Sequence, residues 1–162
     1  MGRSIVADAG PLIAFGRIER LELLRTVCGE VLAPRAAVIE CLADPDQPGA
    51  RAIRHALDAG LLLETPNPVP LLPPLPILDA GESAAIRLAL ERSAPVLMDE
   101  KTGRKIATNL GLSVIGTAGV LLAAKKRRLI ESVRPMLEAL SGQGYHFSET
   151  LLRAISERAG EQ

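Results

Sequence analysis

The sequence predicts an α/β fold: a central parallel sheet of about five strands, covered by helices on both faces. Three observations predict it. Short apolar runs alternate with helical patterns along the chain. The apolar fraction, 48% of 162 residues, is mainly Leu, Ala, Ile and Val, enough for a sizeable core in one domain. Two of the short runs end on an aspartate, which places a carboxylate at the edge of an open sheet where ligands bind. Crossovers between neighbouring parallel strands are expected to be right-handed.

In chain order, Ser4 to Asp8 reads as a first strand, delivering Asp8 into Ala9-Gly10-Pro11. A helix follows from Pro11 with Leu12, Ile13 and Phe15, and Leu21, Leu23 and Leu24 continue an apolar face up to a stop at Gly29. Val31-Leu32-Ala33 is a second strand. Pro34 suits the first turn of a helix over Arg35 to about Ala43, which carries Glu40. Asp44 to Gly49 is a loop, Ala50 to Ala59 a helix closed by Gly60, and Leu61 to Glu64 a third strand. Six prolines then fall between Pro66 and Pro76, a stretch that forms neither helix nor central strand. Its Val69, Leu71, Leu72, Leu75 and Ile77 predict a loop wrapped over the surface within one domain. Asp79-Ala80-Gly81-Glu82 opens a helix with Ala85, Ile86, Ala89 and Leu90 on its apolar face. Pro95 to Met98 is a fourth strand ending on Asp99, Glu100 to Asn109 a helix stopped by Gly111, and Leu112 to Ile115 a fifth strand. Gly116-Thr117 starts a helix that ends in Lys125-Lys126-Arg127-Arg128. Further helices are expected near Ile130 to Leu140 and Glu149 to Ala159, with Tyr145-His146-Phe147 between them. The expected organisation is a single domain over 1–162, with residues from about 130 onward as a C-terminal extension.

Composition excludes several classes. Nineteen basic and nineteen acidic residues give zero net charge, against a protein that grips nucleic acid by overall charge, leaving a local basic patch open. Aromatic residues make up 2%, against a base-stacking platform. Cys28 and Cys41 are too few for a disulfide framework or a zinc cluster and read as buried thiols of a reducing cytoplasm. No signal segment opens the sequence, and the apolar stretch near Ser113 to Ala124 is too short and Gly-rich to span a bilayer. A cytoplasmic protein with no membrane partner is expected.

If the first and fourth strands are neighbours, Asp8 and Asp99 face each other across the crevice where strand order reverses. Glu82, in the first turn of its helix, starts from the same edge, and Glu40 leans toward it. Two unit charges ~5 Å apart repel by ~3 kcal/mol at an effective dielectric near 20. Four gathered carboxylates therefore need protons or a divalent cation among them. All-oxygen ligands select magnesium or manganese over zinc. Such ions activate water and clamp phosphodiester oxygens, so phosphodiester hydrolysis is the reaction that follows.

The opening Ile-Val-Ala-Asp-Ala-Gly-Pro-Leu-Ile, the helical Val-Ile-Glu-Cys, Leu-Asp-Ala-Gly-Glu-Ser-Ala-Ala-Ile and Val-Leu-Met-Asp-Glu-Lys-Thr-Gly-Arg-Lys-Ile-Ala together resemble the PIN-domain family over about Ile5 to Leu122. The likeness is greatest to the prokaryotic branch related to VapC-type toxins. The resemblance implies that Asp8, Glu40, Glu82 and Asp99 hold magnesium or manganese and cleave RNA, and it implies an antitoxin partner and a homodimer. The chain departs from many relatives in carrying Ala9 and Gly10 after the first Asp, and Gly116-Thr117 where another acid is common. Thr117 can hold a metal-bound water less strongly than a carboxylate would.

Each residue has a simpler reading beside this one. Asp8 suits an N-cap, Glu40 a solvated helix face, and Asp79 with Glu82 a capping box. Asp99 suits a cap of the next helix, with Glu100 as a second candidate ligand, and Thr117 suits an N-cap. Arg104 and Lys105 are candidates for phosphate contact or for a solvated face. The basic run at 125–128 suits a helix C-terminus, and His55 and His146 match no metal or triad spacing. The alternative to a ribonuclease is a catalytically inert PIN-like module that binds protein or RNA. No Gly-rich phosphate fingerprint follows the first strand, which excludes a dinucleotide-binding domain, and no adjacent acidic pair marks a phosphoryl-accepting receiver.

Overall fold

Ser4–Ala7 (β1) is the middle strand of a five-stranded, all-parallel sheet. Glu30–Pro34 (β2) and Leu63–Thr65 (β3) lie to one side, and Val96–Leu97 (β4) and Val114–Ile115 (β5) to the other, giving the order β3-β2-β1-β4-β5. The register sets Ile5 beside Val31 and Ala7 beside Leu97. The computed structural model describes residues 2–68 and 77–161, so the expected wrap of the proline-rich stretch falls largely outside the described residues.

Among the described residues, nine helices connect and cover the sheet: Ala9–Arg17 (α1), Leu21–Cys28 (α2), Arg35–Cys41 (α3), Pro48–Asp58 (α4), Ala80–Arg92 (α5), Lys101–Asn109 (α6), Thr117–Lys126 (α7), Arg134–Gly142 (α8) and Glu149–Ala159 (α9). Alternation along β1 sorts them into two layers. Ile5 and Ala7 point into the larger core with Leu12, Phe15, Leu24, Ile53, Leu121 and Leu140. Val6 points the other way, into a smaller core with Ile86, Leu88, Met98 and Ala107. Both faces are thus buried, and the strands read as short continuous apolar runs. Val133, Leu137, Leu140 and Ile155 bring α8 and α9 into the larger core. Lys125 at the end of α7 donates to the Ala159 carbonyl (2.5 Å) and pairs with Glu161 (3.5 Å), which ties that helix to the end of α9.

Several boundaries differ from expectation, for local reasons. The fourth strand shrinks to Val96–Leu97, since Pro95 has no N–H to give to the ladder. The fifth loses Leu112, whose N–H is taken by the Ala107 carbonyl at the end of α6. The eighth helix starts at Arg134 rather than near Ile130, because Pro135 sits in its first turn, where a missing N–H costs nothing. Pro48 likewise starts α4, two residues before the expected Ala50.

Gly29 does close α2, with φ +86. A Cβ there would collide with the Arg3 carbonyl, which accepts the Glu30 N–H at 2.8 Å and leads the chain into β1. Gly29→Ala combines a left-handed backbone with a clash against main chain, and is expected to cost about 2–3 kcal/mol, read as a lower urea midpoint at unchanged slope.

Among the described residues no helix is long and apolar enough to cross a membrane. Both cysteines are free thiols, Cys28 half-buried and Cys41 buried. The basic run does not face the carboxyl edge of the sheet. It lies at the far end of α7, where Arg127 donates to the Thr26 and Val27 carbonyls at the end of α2.

Candidate metal centre

The chain leaves β1 toward β2 and β3 on one side, then returns to place β4 on the other. Strand order therefore reverses between β1 and β4, and the crevice of an open α/β sheet opens there. Asp8 follows β1 directly. It occupies the N-cap position of α1, yet its side chain makes no capping hydrogen bond. The residue is 5% exposed, and its Oδ1 is buried without a partner. Burial is the main cause that pushes its carboxyl from 3.8 up to about 7; the Ala9 amide opposes the shift, and the charges of Glu82, Asp79 and Glu40 add to it. A buried, unpaired carboxyl oxygen beside other acids is a costly arrangement for the fold alone.

Glu40 lies near the end of α3 and projects over the start of α5. A Cβ at Gly81 would stand 2.9 Å from Glu40 Oε2, so a residue without a side chain is what lets the two helices bring this acid in. Burial first, and the Asp79 charge second, raise the Glu40 carboxyl. At the start of α5 the capping box is real: the Glu82 N–H donates to Asp79 Oδ1 (2.7 Å) and the Asp79 N–H to Glu82 Oε2 (3.2 Å). Glu82 is nonetheless raised, by burial and then by Asp79, Glu100 and Glu40 against the bond from Asp79. Asp79 thus adds to the negative field on all three acids, a part that capping alone does not describe.

Asp99 follows β4, the neighbour of β1 in the sheet, and is held differently. Thr117, wholly buried in the first turn of α7, donates its N–H to Asp99 Oδ1 (2.7 Å) and its hydroxyl to Oδ2 (2.5 Å). The Tyr145 hydroxyl, from the connection between α8 and α9, donates to the same Oδ2. Burial, and the Asp99 charge second, push the Tyr145 phenol well above its ordinary value, so it stays a donor. Thr117 is therefore a partner of Asp99 and not an N-cap; Gly116 holds that place. Asp99 does not cap α6 either. Glu100 does, accepting from Thr102 N (3.0 Å) and Gly103 N (2.6 Å), and these bonds lower its carboxyl. Arg104 donates to the Met98 carbonyl at 2.8 Å, so its guanidinium braces the end of β4.

These residues line one cleft of about 390 Å³. Asp8, Glu40, Asp79, Glu82, Asp99 and Glu100 line it together with Gly144 to Phe147 and Leu151. All four sequence-predicted acids reach it. Asp8, Glu40 and Glu82 are coupled electrostatically along with Asp79, whereas Asp99 is fixed by Thr117 and Tyr145. Sequence reasoning gave Tyr145 no role. Its signal was weak: two of the chain's three aromatic residues and one of its two histidines fall within three positions.

Among the described residues, no group of three or more His, Cys, Asp or Glu is placed so as to hold a metal ion. The donor chemistry still fits a hard divalent cation. Every candidate is a carboxylate, and one buried oxygen lacks any partner. Magnesium in particular is commonly held by one or two carboxylates and several waters rather than by a protein cage.

A family model described as DUF3368, a PIN domain, matches residues 4–161. The chain belongs to the PIN-domain family. PIN domains are generally nucleases that use divalent metal ions. Among solved structures, the chain is similar to a PilT N-terminus domain protein from the hyperthermophilic archaeon Sulfolobus solfataricus P2. The identity is 22% and the TM-score 0.56, over 75% of this chain and 92% of that one. That likeness shows the shared fold of a PIN domain. No curated protein matches the chain.

Proposed function

We propose that this PIN domain is a magnesium- or manganese-dependent endoribonuclease, the toxin of a toxin–antitoxin pair. The observation that carries the reading is the cleft at the β1–β4 crevice, where a buried, partnerless Asp8 oxygen shares one space with Glu40, Glu82 and Asp99. A divalent ion there supplies an activated water and a clamp on the phosphodiester oxygens. Asp8, Glu82 and Asp99, with Glu40 beside them, would hold it. A bound ion would offset the burial that chiefly raises three of these carboxyls and the neighbouring negative charges that add to it. Thr117 orients Asp99, and Arg104 fixes the backbone on which Asp99 sits. Substrate RNA, an antitoxin partner and a homodimer belong to the same reading and rest on the resemblance to VapC-type toxins; the cytoplasmic location proposed with them rests on the sequence's two free cysteines and apolar patterning.

The purified protein is expected to cleave RNA with manganese or magnesium and not with a chelator. Asp99→Asn is expected to remove cleavage by two orders of magnitude or more, roughly the loss of 3 kcal/mol of transition-state stabilisation, with the circular-dichroism spectrum kept. Unchanged cleavage in both Asp99→Asn and Asp8→Asn would sink the assignment.

A second reading, an inert PIN-like binding module, is favoured by one observation: both Asp99 oxygens already accept donors, and Thr117 stands where relatives carry another acid. Calorimetry with manganese separates the two, since the inert module shows no binding heat.

A further inference from the structure

We infer that Tyr145 is a positioning residue for the ion-binding cleft: its hydroxyl, with that of Thr117, occupies Asp99 Oδ2 and leaves Oδ1 as the only oxygen of Asp99 free to take a cation. The inference rests on the metal-dependent reading above and adds a residue from the C-terminal helices to it.

Lone-pair counting carries the argument. An ionised carboxylate offers about four acceptor sites, two on each oxygen. Oδ2 takes the Thr117 and Tyr145 hydroxyls and is full. Oδ1 takes only the Thr117 N–H and keeps one site. Asp99 is therefore presented as a one-oxygen ligand whose other oxygen is anchored. Carboxylate ligands gain affinity when outer partners fix them in this way.

Tyr145 is itself well fixed. Its N–H donates to the Leu140 carbonyl at 3.0 Å, which closes α8, and Leu140 is wholly buried. Its ring packs on Phe147 at 5.3 Å between centroids, tilted by 52°. The Val133 N–H just before α8 donates to the Glu161 carboxylate (2.9 and 3.1 Å), which links the two ends of the α8–α9 unit. Asp99 and Tyr145 lie 46 residues apart, so this bond links the α8–α9 connection to the acid centre. Tyr145 lines the same cleft as the acids, so manganese affinity measured without RNA is the readout that isolates its effect through Asp99.

Manganese titration by calorimetry, on wild type, Tyr145→Phe and Glu91→Gln, tests this. Tyr145→Phe is expected to bind manganese about tenfold more weakly, the lower end of what loss of an outer partner costs. Its melting temperature should stay within a few degrees of wild type. Glu91→Gln removes an exposed carboxylate in the last turn of α5, away from the cleft, so its manganese Kd should match wild type. An unchanged Kd in Tyr145→Phe overturns the inference, and so does a tighter one, which would mean that the phenol competes with the ion. The metal reading survives both of those results. Wild type that binds no manganese overturns the metal reading and this inference together.

Discussion

Asp8→Asn is expected to make the metal-free protein more stable while it removes nuclease activity. The sign follows from where the proton sits. Unfolded, the Asp8 carboxyl titrates near 3.8; folded, burial holds it up to about 7. Between those values the unfolded chain has released a proton that the folded chain keeps, so stability falls as pH rises through the window. Well below pH 3.8 both states are protonated and Asp8 costs nothing. Above pH 7 the cost is complete, and at ~1.36 kcal/mol per pH unit it reaches roughly 4 kcal/mol. Asparagine has no charge to desolvate, and the side chain it replaces makes no capping bond. Thermal melts in EDTA should therefore show a gain on the order of 10 °C at pH 8 that shrinks toward zero by pH 4. Cleavage should be lost at every pH. A melting temperature at pH 8 that is equal to or below that of wild type would mean that the Asp8 carboxylate carries no such burden. The trade is the familiar one in which a site is kept at the expense of the fold around it.

What could be read from the sequence follows the division between backbone and side chain. The positions of Asp8 and Asp99 were legible because they are consequences of strand ends, and strand ends show as an apolar run that stops on an acid. Glu82 was legible because helices antiparallel to the strands begin at the same edge. The capping box at Asp79 and Glu82 was legible too, since it rests on a spacing of three. The contacts that fix Asp99 left no such trace. Thr117 and Tyr145 meet it across 18 and 46 residues, and no periodicity encodes a bond of that length. Asp79 was legible as a cap and not as a charge, because its influence on Asp8 depends on how α5 packs against β1. The short β4 and β5 were over-read for a related reason. Apolar residues continue past the strands, but Pro95 lacks a donor and the Leu112 donor is already taken by Ala107.

Manganese affinity is expected to rise steeply with pH, by more than tenfold between pH 6 and pH 8. A ligand carboxyl must lose its proton before it can hold an ion. With Asp8 at about 7, roughly one molecule in ten is ready at pH 6 and nine in ten at pH 8, which supplies about tenfold alone. Glu40 and Glu82 are raised as well, chiefly by burial, and add to the slope on the acid side. The direction is opposite to that of metal-free stability: alkaline conditions weaken the empty fold through Asp8 and strengthen its hold on the ion. Saturating manganese should therefore raise the melting temperature far more at pH 8 than at pH 6, since the gain grows with ligand concentration over Kd. Calorimetry in two buffers of different ionisation heat would count the protons released on binding near pH 6.5, and a substantial fraction of one is expected. A flat affinity across this range, with no proton release, would remove Asp8 from the set of ligands. An affinity lost in Asp99→Asn but flat with pH would leave Asp99, presented by Thr117 and Tyr145, as the dominant ligand in the cleft.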